Sequence, residues 1–296
     1  MNIAIIGSGI VGEATGKGLI ESDHSVTFVD VNATTLGRLE KEGYKVAGIN
    51  QLDRVKYKVS IICLPTPLKD EKVDLGAFDA ALPHLGRRLA AADSYHLVVI
   101  RSTILPGTTE RFIIPELERY SGKTAGKDFG VCVNPEFLRQ KTSRADFLKP
   151  WSIVIGALDK QSADALLELY RPIIEKEKPA ITVTNLPTAE MIKYAQNCYN
   201  AVKISFTNEM WRLSRKIGVD GNEVMAAVSR SAEGMWNPQY GTRGGFPYDG
   251  HCLPKDTQSL LSYAQNKLKI DMPLLEATIK VNNSMRTKHS DEGNIQ

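Results

Sequence analysis

The sequence has few cysteines, and they follow no metal-binding pattern. Only four occur in 296 residues, and they lie far apart: Cys63, Cys132, Cys198 and Cys252. None belongs to a C-x-x-C pair or to the Cys/His spacing of a zinc site. The sequence therefore predicts no metal centre, and this cysteine usage is typical of a reduced, cytoplasmic protein.

Long apolar runs and clusters of one charge are also missing. No segment approaches the roughly 20 consecutive apolar residues that a membrane-spanning helix needs, and the apolar N-terminus lacks the layout of a signal peptide. The 37 Lys and Arg residues are dispersed along the chain and nearly balanced by 34 Asp and Glu residues. These absences argue against a membrane protein and against a nucleic-acid-binding protein.

What the sequence does contain is an alternation of short apolar runs with amphipathic stretches, from residue 2 to about residue 185. The stretches between several runs have helical spacing, as in Gly12–Glu21, Phe78–Ala91 and Ser162–Lys176. This order predicts a mainly parallel sheet with helices on both faces, and ligands bind such sheets beyond the carboxyl ends of the strands. The runs predicted as buried strands are Ile3–Ile6, Val26–Val29, Val59–Leu64, Leu97–Ile100, Gly130–Val133, Ile153–Ile155 and Ile181–Val183.

The pattern changes after Pro187. Residues 188–216 form one long helical stretch without glycine or proline, and shorter helical segments follow at about 222–231, 256–266 and 271–286. We therefore expect two domains. Residues 1–187 would form a doubly wound α/β domain, and residues 188–296 an all-helical domain with one long central helix.

A glycine motif directly follows the first predicted strand. Gly7, Gly9 and Gly12 form the G-x-G-x-x-G pattern, with Ile10 and Val11 opening the next helix. In this context the motif is the fingerprint of a Rossmann-type dinucleotide site, in which the helix N-terminus faces the pyrophosphate.

The second strand ends in Asp30, 18 residues after Gly12. A carboxylate at this position accepts hydrogen bonds from ribose hydroxyls and repels a 2′-phosphate, so the sequence predicts NAD rather than NADP. Two more strand-end loops, Leu64-Pro65-Thr66-Pro67 and Arg101-Ser102-Thr103, are expected to line the nicotinamide side, although each has the composition of an ordinary turn.

The cysteines divide into two kinds. Cys63, Cys132 and Cys198 lie in apolar or helical patterns and are interpreted as small core residues. Cys252, in contrast, is predicted to lie in a loop of Gly, Asp, His and Pro residues that includes Pro254. A thiol beside a hydride acceptor can trap an aldehyde as a thiohemiacetal. Loss of a second hydride then gives a thioester, which water cleaves to an acid.

At this point the chain resembles the UDP-glucose/GDP-mannose dehydrogenase family. The resemblance implies an NAD-dependent enzyme that oxidises the CH2OH of a sugar nucleotide to a carboxylate, consuming two NAD and one water, and that forms a homodimer. It is carried in order by Gly7–Gly12, Leu64–Pro67, Ser102–Ile104, Asn134–Leu138, the Ala189-Glu190-x-x-Lys193-x-x-x-Asn197 segment, and Cys252–Asp256.

The resemblance also implies roles for individual residues. Cys252 would be the nucleophile, and Lys193 with Asn197 would stabilise oxyanion character on the substrate. Asp256 would work with a water in proton transfer, with a helix N-cap as its alternative. Glu136 would be a candidate base for thioester hydrolysis.

The remaining positions would hold water, cofactor or substrate. Thr103 would hold the water, and Lys255 would meet the cofactor phosphates. The substrate-contacting set would be Glu136, Phe137, Leu138, Lys193, Asn197, Tyr248 and Gly250.

Three features depart from the family pattern. Relatives continue for roughly another hundred residues into a nucleotide-binding domain, and the chain is therefore expected to be a short form without that domain. The glycine-rich run before the cysteine is replaced by Pro247–His251. The segment between the second and third predicted strands, residues 43–57, is much shorter than in typical relatives, and Lys149-Pro150-Trp151-Ser152 stands where an Asp-Arg pair is usual. Trp151 would either stack on a sugar ring or pack, and packing is the favoured interpretation.

Two alternative functions remain at this stage. One is a two-electron dehydrogenase of the β-hydroxyacid/6-phosphogluconate type, which also uses a lysine on the long helix and needs no cysteine. The other is an NAD-binding protein without turnover.

Overall fold

The structure is a computed structural model that describes residues 1–291, with side chains described as far as residue 286. It contains two compact units, Met1–Gln196 and Asn197–Gln296. The division falls within one long helix, Leu186–Ile217. The predicted domain boundary at residue 187 lies at the start of this helix, and the domain limits 1–187 and 188–296 stay a prediction.

The first unit is built on ten strands. They are β1 (Asn2–Ile6), β2 (Ser25–Asp30), β3 (Lys45–Gly48), β4 (Val59–Ile62), β5 (Leu68–Lys69), β6 (Lys72–Val73), β7 (His96–Ile100), β8 (Phe129–Val133), β9 (Ser152–Ala157) and β10 (Ala180–Thr184).

Eight of these strands form one sheet in the order β10-β9-β8-β7-β4-β1-β2-β3, and β5 and β6 form a separate antiparallel hairpin. Every pairing in the large sheet is parallel except that between β8 and β9. The mainly parallel sheet predicted from the apolar runs is therefore confirmed. Because six strands run in one direction, the loops after β1, β2, β4, β7 and β8 all emerge at the same edge.

Helices cover both faces of this sheet. On one face, Phe78, Leu82 and Leu117 pack in one core cluster, and on the other, Leu19, Leu166 and Leu169 pack in a second. This is the doubly wound arrangement predicted from the sequence. The helices of the first unit are α1 (Ile10–Glu21), α2 (Ala33–Lys41), α3 (Gly76–Ala90), α4 (Ile114–Ser121), α5 (Ser143–Leu148), α6 (Lys160–Glu177) and the first part of α7 (Leu186–Ile217).

Two details of the sheet differ from the prediction. The edge strand β10 forms, but it is not buried, since Ile181 and Val183 are 42% and 51% exposed. Its apolar residues predicted burial, whereas an edge strand lacks a neighbour on one side. Strand β3 was not predicted, although Val46 and Ala47 pair with Phe28 and Val29 in it.

The second unit is all-helical in its described part, as predicted. Besides the end of α7, it contains α8 (Gly221–Ser231), α9 (Glu233–Trp236), α10 (Cys252–Ser262), a π-helical turn (Tyr263–Leu268) and α11 (Pro273–Asp291). Pro273 occupies the first turn of α11, where its missing N–H costs no hydrogen bond. The buried carboxylate of Glu209 accepts hydrogen bonds from the backbone N–H groups of Leu274 and Leu275, at 2.9 and 3.0 Å, and so caps this helix.

Among the described residues, no helix combines the length and the apolar character that crossing a membrane requires.

Candidate active site

The glycine motif forms a tight turn between β1 and α1. Gly7 has a φ of +94°, and a side chain on it would overlap the carbonyl group of Cys63. A side chain on Gly12 would overlap the carbonyl oxygen of Gly7. Gly9, in contrast, faces open space, with no atom within 4 Å of where a Cβ would lie. The first and third glycines are therefore fixed by packing, and the second leaves room for a ligand against the backbone.

Asp30 lies next to this turn at the end of β2. Its carboxylate accepts hydrogen bonds from the backbone N–H groups of Ser8, at 2.6 Å, and Asn32, at 2.9 Å. These contacts orient the carboxylate and leave lone pairs for further donors, such as the two hydroxyls of a ribose.

The loops after β4 and β7 are joined to each other by hydrogen bonds. The Thr66 hydroxyl donates to the Thr103 carbonyl oxygen at 2.7 Å, and the Ser102 hydroxyl donates to the Leu64 carbonyl oxygen at 2.7 Å. Since both loops leave the same edge of the sheet, these bonds form one continuous wall.

A cavity of about 700 Å³ runs along this edge of the sheet. It brings together most of the residues predicted to bind the cofactor. Its lining includes Gly7, Gly9, Ile10, Val11, Asp30, Pro65, Thr66, Ser102, Thr103 and Glu136. Gly12 lies behind the turn and contributes packing instead.

The cavity fits a dinucleotide. The open space at Gly9 lets a pyrophosphate approach the backbone, and no side chain caps the N-terminus of α1, so its N–H groups are available to an anion. Asp30 would hold the adenosine ribose, and the loops containing Thr66 and Thr103 would flank the nicotinamide.

Replacing Asp30 with alanine is expected to weaken NAD binding by about 10- to 100-fold, because hydrogen bonds to a charged group are worth roughly 1.5–3 kcal/mol. NADP binding should weaken far less or improve, since repulsion of the 2′-phosphate is also removed. Isothermal titration with both cofactors measures this ratio. Asp164→Ala, which removes an exposed carboxylate on α6, is the control. An unchanged ratio in Asp30→Ala would contradict the assignment.

Lys193 and Glu136 form a nearly buried ion pair. The Lys193 ammonium lies 2.9 Å from Oε1 of Glu136 and 2.5 Å from its carbonyl oxygen. The second carboxylate oxygen, Oε2, accepts a hydrogen bond from the Leu138 N–H at 2.6 Å. The two side chains are only 9% and 14% exposed. The structure thus brings together two of the residues predicted to be catalytic, and Glu136 also lines the 700 Å³ cavity.

Glu190, one turn before Lys193 on α7, fixes this helix to the loop after β7. Its buried carboxylate accepts hydrogen bonds from the Thr109 N–H and hydroxyl, at 2.9 and 2.6 Å, and from the Gly107 N–H. This residue therefore positions the helix that presents Lys193.

A second cavity, of about 430 Å³, lies beside the ion pair. Phe137 and Leu138 line it, so these two predicted substrate-contacting residues face this cavity. Trp151 lines its rim and is 83% exposed, with the Arg139 guanidinium 5.4 Å from its ring centroid. The favoured interpretation of Trp151 as a packing residue is therefore wrong, since most of its ring is available to a ligand.

A buried polar network between the two cavities was not predicted from the sequence. Arg101 is 5% exposed and lines both cavities. Its Nη1 donates to the side-chain oxygen of Asn134 and, at 3.1 Å, to the Tyr170 hydroxyl, which itself donates to Asn134 at 2.7 Å. Burial raises the pKa of the Tyr170 phenol, which keeps it neutral. The available signal was a charged residue directly after the apolar run Leu97–Ile100 of strand β7.

The cysteines of the first unit are not reactive. Cys132 is buried, as predicted, whereas Cys63 is half-buried and lines the cofactor cavity. Burial raises the pKa of the Cys63 thiol to about 12, so it is protonated at neutral pH.

In the second unit, Cys252 is exposed and is the first residue of helix α10. The sequence predicted a loop here, with the helix starting near Asp256. The sulfur therefore lies at the N-terminus of an 11-residue helix. Cys198 is also exposed, on α7, which corrects its interpretation as a core residue.

Lys255 and Asp256 form an exposed ion pair on the first turns of α10. The hydrogen bond that the Lys255 ammonium donates to the Asp256 carboxylate raises the pKa of Lys255. Because α10 begins at Cys252, Asp256 lies inside the helix, and its alternative interpretation as an N-cap is wrong.

The segment before Cys252 is attached to helix α11. The buried side chain of Asn282 accepts a hydrogen bond from the Tyr248 N–H at 2.7 Å and donates to its carbonyl oxygen at 3.0 Å. Gly250 has a φ of +84°, a conformation that favours glycine. The predicted site residues of the second unit are Asn197, Tyr248, Gly250, Cys252, Lys255 and Asp256.

Comparison with known proteins gives consistent matches along the chain. The model of the UDP-glucose/GDP-mannose dehydrogenase family NAD-binding domain matches residues 50–174, and that of its central domain matches residues 187–284. Within the matched NAD-binding domain lie the wall formed by Thr66 and Thr103 and the carboxylate of Glu136.

Two curated relatives cover nearly the whole chain. GDP-mannose 6-dehydrogenase of Pseudomonas aeruginosa is 35% identical over 98% of this chain, which spans 70% of the relative. UDP-glucose 6-dehydrogenase of Haloferax volcanii is 33% identical over 98% of this chain, which spans 71% of that relative.

The crystal structure of a ternary complex of GDP-mannose dehydrogenase from Pseudomonas aeruginosa superposes with a TM-score of 0.90, at 35% identity. The match covers 98% of this chain and 70% of that one. These matches, together with the formed dinucleotide cavity, show that the chain belongs to the UDP-glucose/GDP-mannose dehydrogenase family and that NAD is its cofactor.

Proposed function

We propose that the chain is a nucleotide-sugar 6-dehydrogenase that converts a sugar CH2OH to a carboxylate through a thioester on Cys252. The observation that carries the proposal is the placement of Cys252, exposed at the start of α10, in a family member with a formed NAD cavity. The proposed subcellular location is the cytoplasm.

GDP-mannose is the first candidate substrate. The relatives named GDP-mannose 6-dehydrogenase are 35–37% identical to this chain, and the GDP-mannose dehydrogenase structure superposes at a TM-score of 0.90. A UDP-glucose dehydrogenase structure superposes at 0.70. UDP-glucose is therefore the second candidate.

The first oxidation uses the residues around the Glu136–Lys193 pair. The Lys193 cation would stabilise the negative charge that develops on the substrate oxygen as its proton passes to a water assisted by Asp256, and Asn197 would add an amide donor. NAD, when bound, accepts the hydride. The product of this step is an aldehyde.

The Cys252 sulfur then adds to the aldehyde carbon, and the carbonyl oxygen takes up a proton to give a thiohemiacetal. Loss of that proton and of a second hydride leaves a thioester between Cys252 and the acyl carbon. The alcohol has then lost four electrons, and two NAD molecules have been reduced.

Hydrolysis completes the cycle. Glu136 would accept a proton from a water held by Thr103, with Asp256 assisting proton transfer. Attack of this water on the acyl carbon breaks the carbon–sulfur bond. The carboxylate leaves, and Cys252 returns to its thiol form.

The ratio of NADH formed to substrate consumed tests this function. With excess NAD and limiting GDP-mannose, the purified chain is expected to form two NADH per sugar and a GDP-linked uronate, followed by absorbance at 340 nm and mass spectrometry. UDP-glucose is the parallel substrate, and mannose 1-phosphate is the control that lacks the nucleotide.

Other outcomes would support the alternatives. One NADH per substrate would indicate a two-electron dehydrogenase of the β-hydroxyacid/6-phosphogluconate type. Bound NAD without any NADH formation, across a broad panel of sugar nucleotides, would indicate an NAD-binding protein without turnover.

We also propose a homodimer. In the second unit, the part of α7 that follows Asn197 presents apolar side chains to solvent, with Val202 51% and Ile204 63% exposed. Pairing of these surfaces between two copies would remove that apolar area from water.

A further inference from the structure

Arg101 is a buried cation without a carboxylate partner. Its guanidinium is 5% exposed and forms no ion pair within the described chain. Its acceptors are neutral oxygens of Asn134 and Tyr170, and its Nε is buried without a partner. An uncompensated buried charge is costly to a protein and therefore marks a position where the charge itself serves a function.

Glu136, a carboxylate that lines the same cavity as Arg101, does not neutralise it. Glu136 directs one carboxylate oxygen to the Lys193 ammonium and the other to the Leu138 N–H. Arg101, Lys193 and Glu136 together therefore carry a net charge of one positive unit in the first unit. The field of Arg101 reaches the cavity wall, where it acts on Cys63.

The position of Arg101 along the sheet edge indicates which half of the cofactor its charge would act on. Asp30 is the last residue of β2 and Arg101 directly follows β7, three strands away in the sheet, which is roughly 14 Å at the usual strand spacing. A dinucleotide whose adenosine ribose meets Asp30 extends along this edge with its nicotinamide half toward Arg101. Both residues line the same cavity.

We propose that Arg101 raises the hydride affinity of NAD bound to this chain. The oxidised nicotinamide ring is a cation and the reduced ring is neutral. A fixed positive charge in a poorly solvated wall therefore disfavours the oxidised form relative to the reduced form. This makes bound NAD a stronger oxidant, and it requires no contact between Arg101 and the sugar substrate.

The test is the ratio of the dissociation constants of NAD+ and NADH, measured by isothermal titration and by NADH fluorescence without any sugar substrate. In Arg101→Gln, this ratio is expected to fall at least tenfold, which corresponds to about 30 mV for a two-electron couple. Arg101→Lys keeps the charge and should keep the ratio. Because no sugar is present, failure of this proposal is distinguishable from failure of the proposed catalytic activity.

Asn134→Asp provides a second variant, which keeps the Arg101 guanidinium and offsets its positive charge with a neighbouring carboxylate. The new carboxylate would replace the amide oxygen that already accepts from Arg101 and would place a full negative charge beside the guanidinium. The variant would also lose the amide N–H that donates to the Val154 carbonyl oxygen at 2.8 Å, so circular dichroism checks the fold of this variant as well. Its ratio is expected to fall in the same direction as that of Arg101→Gln. Tyr170→Phe, which removes a neutral partner of Arg101, is the matched control and should leave the ratio unchanged.

The proposal is overturned if both cofactor affinities change by the same factor in Asn134→Asp, since that result indicates a purely positional role for Arg101. An equal change in Arg101→Gln leads to the same conclusion. If Arg101→Gln does not fold, as judged by circular dichroism, Asn134→Asp decides the question alone.

Discussion

Replacing Cys252 with serine is expected to lower the rate of acid formation by at least about 10³-fold, because an alkoxide is far harder to form than a thiolate at neutral pH. NAD binding should be unchanged, since the cofactor cavity lies wholly within the first unit. The measurement is the rate of uronate formation from the sugar nucleotide, with mass spectrometry of the products.

The control for this variant is Cys198→Ser. Cys198 is also exposed and also belongs to the second unit, but it lies within α7, where it is not at a helix N-terminus. We expect wild-type activity in the control. Acid formation at an undiminished rate in Cys252→Ser would mean that the thiol is not the nucleophile, and the two-electron alternative would then be favoured.

Replacing Lys193 with methionine is expected to lower kcat/KM by about 10²- to 10³-fold, the usual effect of losing a charged donor to a developing oxyanion. The change would also leave the nearly buried Glu136 carboxylate without its cation. The double variant Lys193→Met with Glu136→Gln removes both charges, which keeps the fold comparable. Steady-state kinetics with saturating NAD measures the effect.

Lys216→Met is the control for this prediction, since Lys216 is an exposed lysine near the end of the same helix. It should retain wild-type kinetics. Wild-type kcat/KM in both Lys193→Met and the double variant would show that the ion pair only stabilises the fold. A loss confined to the single variant would indicate that the unpaired Glu136 causes the defect.

The cofactor half of the site was readable from local sequence. A glycine that needs positive φ, a helix that starts directly after it, and a carboxylate at the end of the second strand are all short-range features, and Gly7, Gly9 and Asp30 occupy the expected positions. The alternation of short apolar runs with amphipathic stretches predicted the sheet for the same reason. Strand β3 was missed because only Val46 and Ala47 of its four residues are apolar, so it does not stand out as an apolar run.

The network around Arg101 depends on tertiary structure. Asn134 and Tyr170 are 33 and 69 residues away from Arg101 in sequence, and only the pairing of β7 with β8 and the packing of α6 bring the three together. The exposure of Trp151, Ile181 and Val183 also depends on tertiary structure and was not predicted. Composition predicts that an apolar residue is buried but does not show which strand lies at an edge.

The start of α10 was missed for a different reason. Pro254 looked like part of a loop, yet it is the third residue of a helix, where its missing N–H leaves no hydrogen bond unmade. The position of this helix start matters for the chemistry because it places the Cys252 sulfur at a helix N-terminus. A proline two residues after a candidate nucleophile is therefore compatible with a helix that begins at that nucleophile.

The most direct measurement of the central claim is the mass of the Cys252 peptide from enzyme quenched with acid during turnover of GDP-mannose and NAD. Glu136→Gln, which should slow hydrolysis, is used to increase the population of the intermediate. The mechanism predicts a hydroxylamine-sensitive sugar nucleotide acyl group on Cys252 and none on Cys198. An unmodified Cys252 peptide at every time point, while the uronate accumulates, would contradict it.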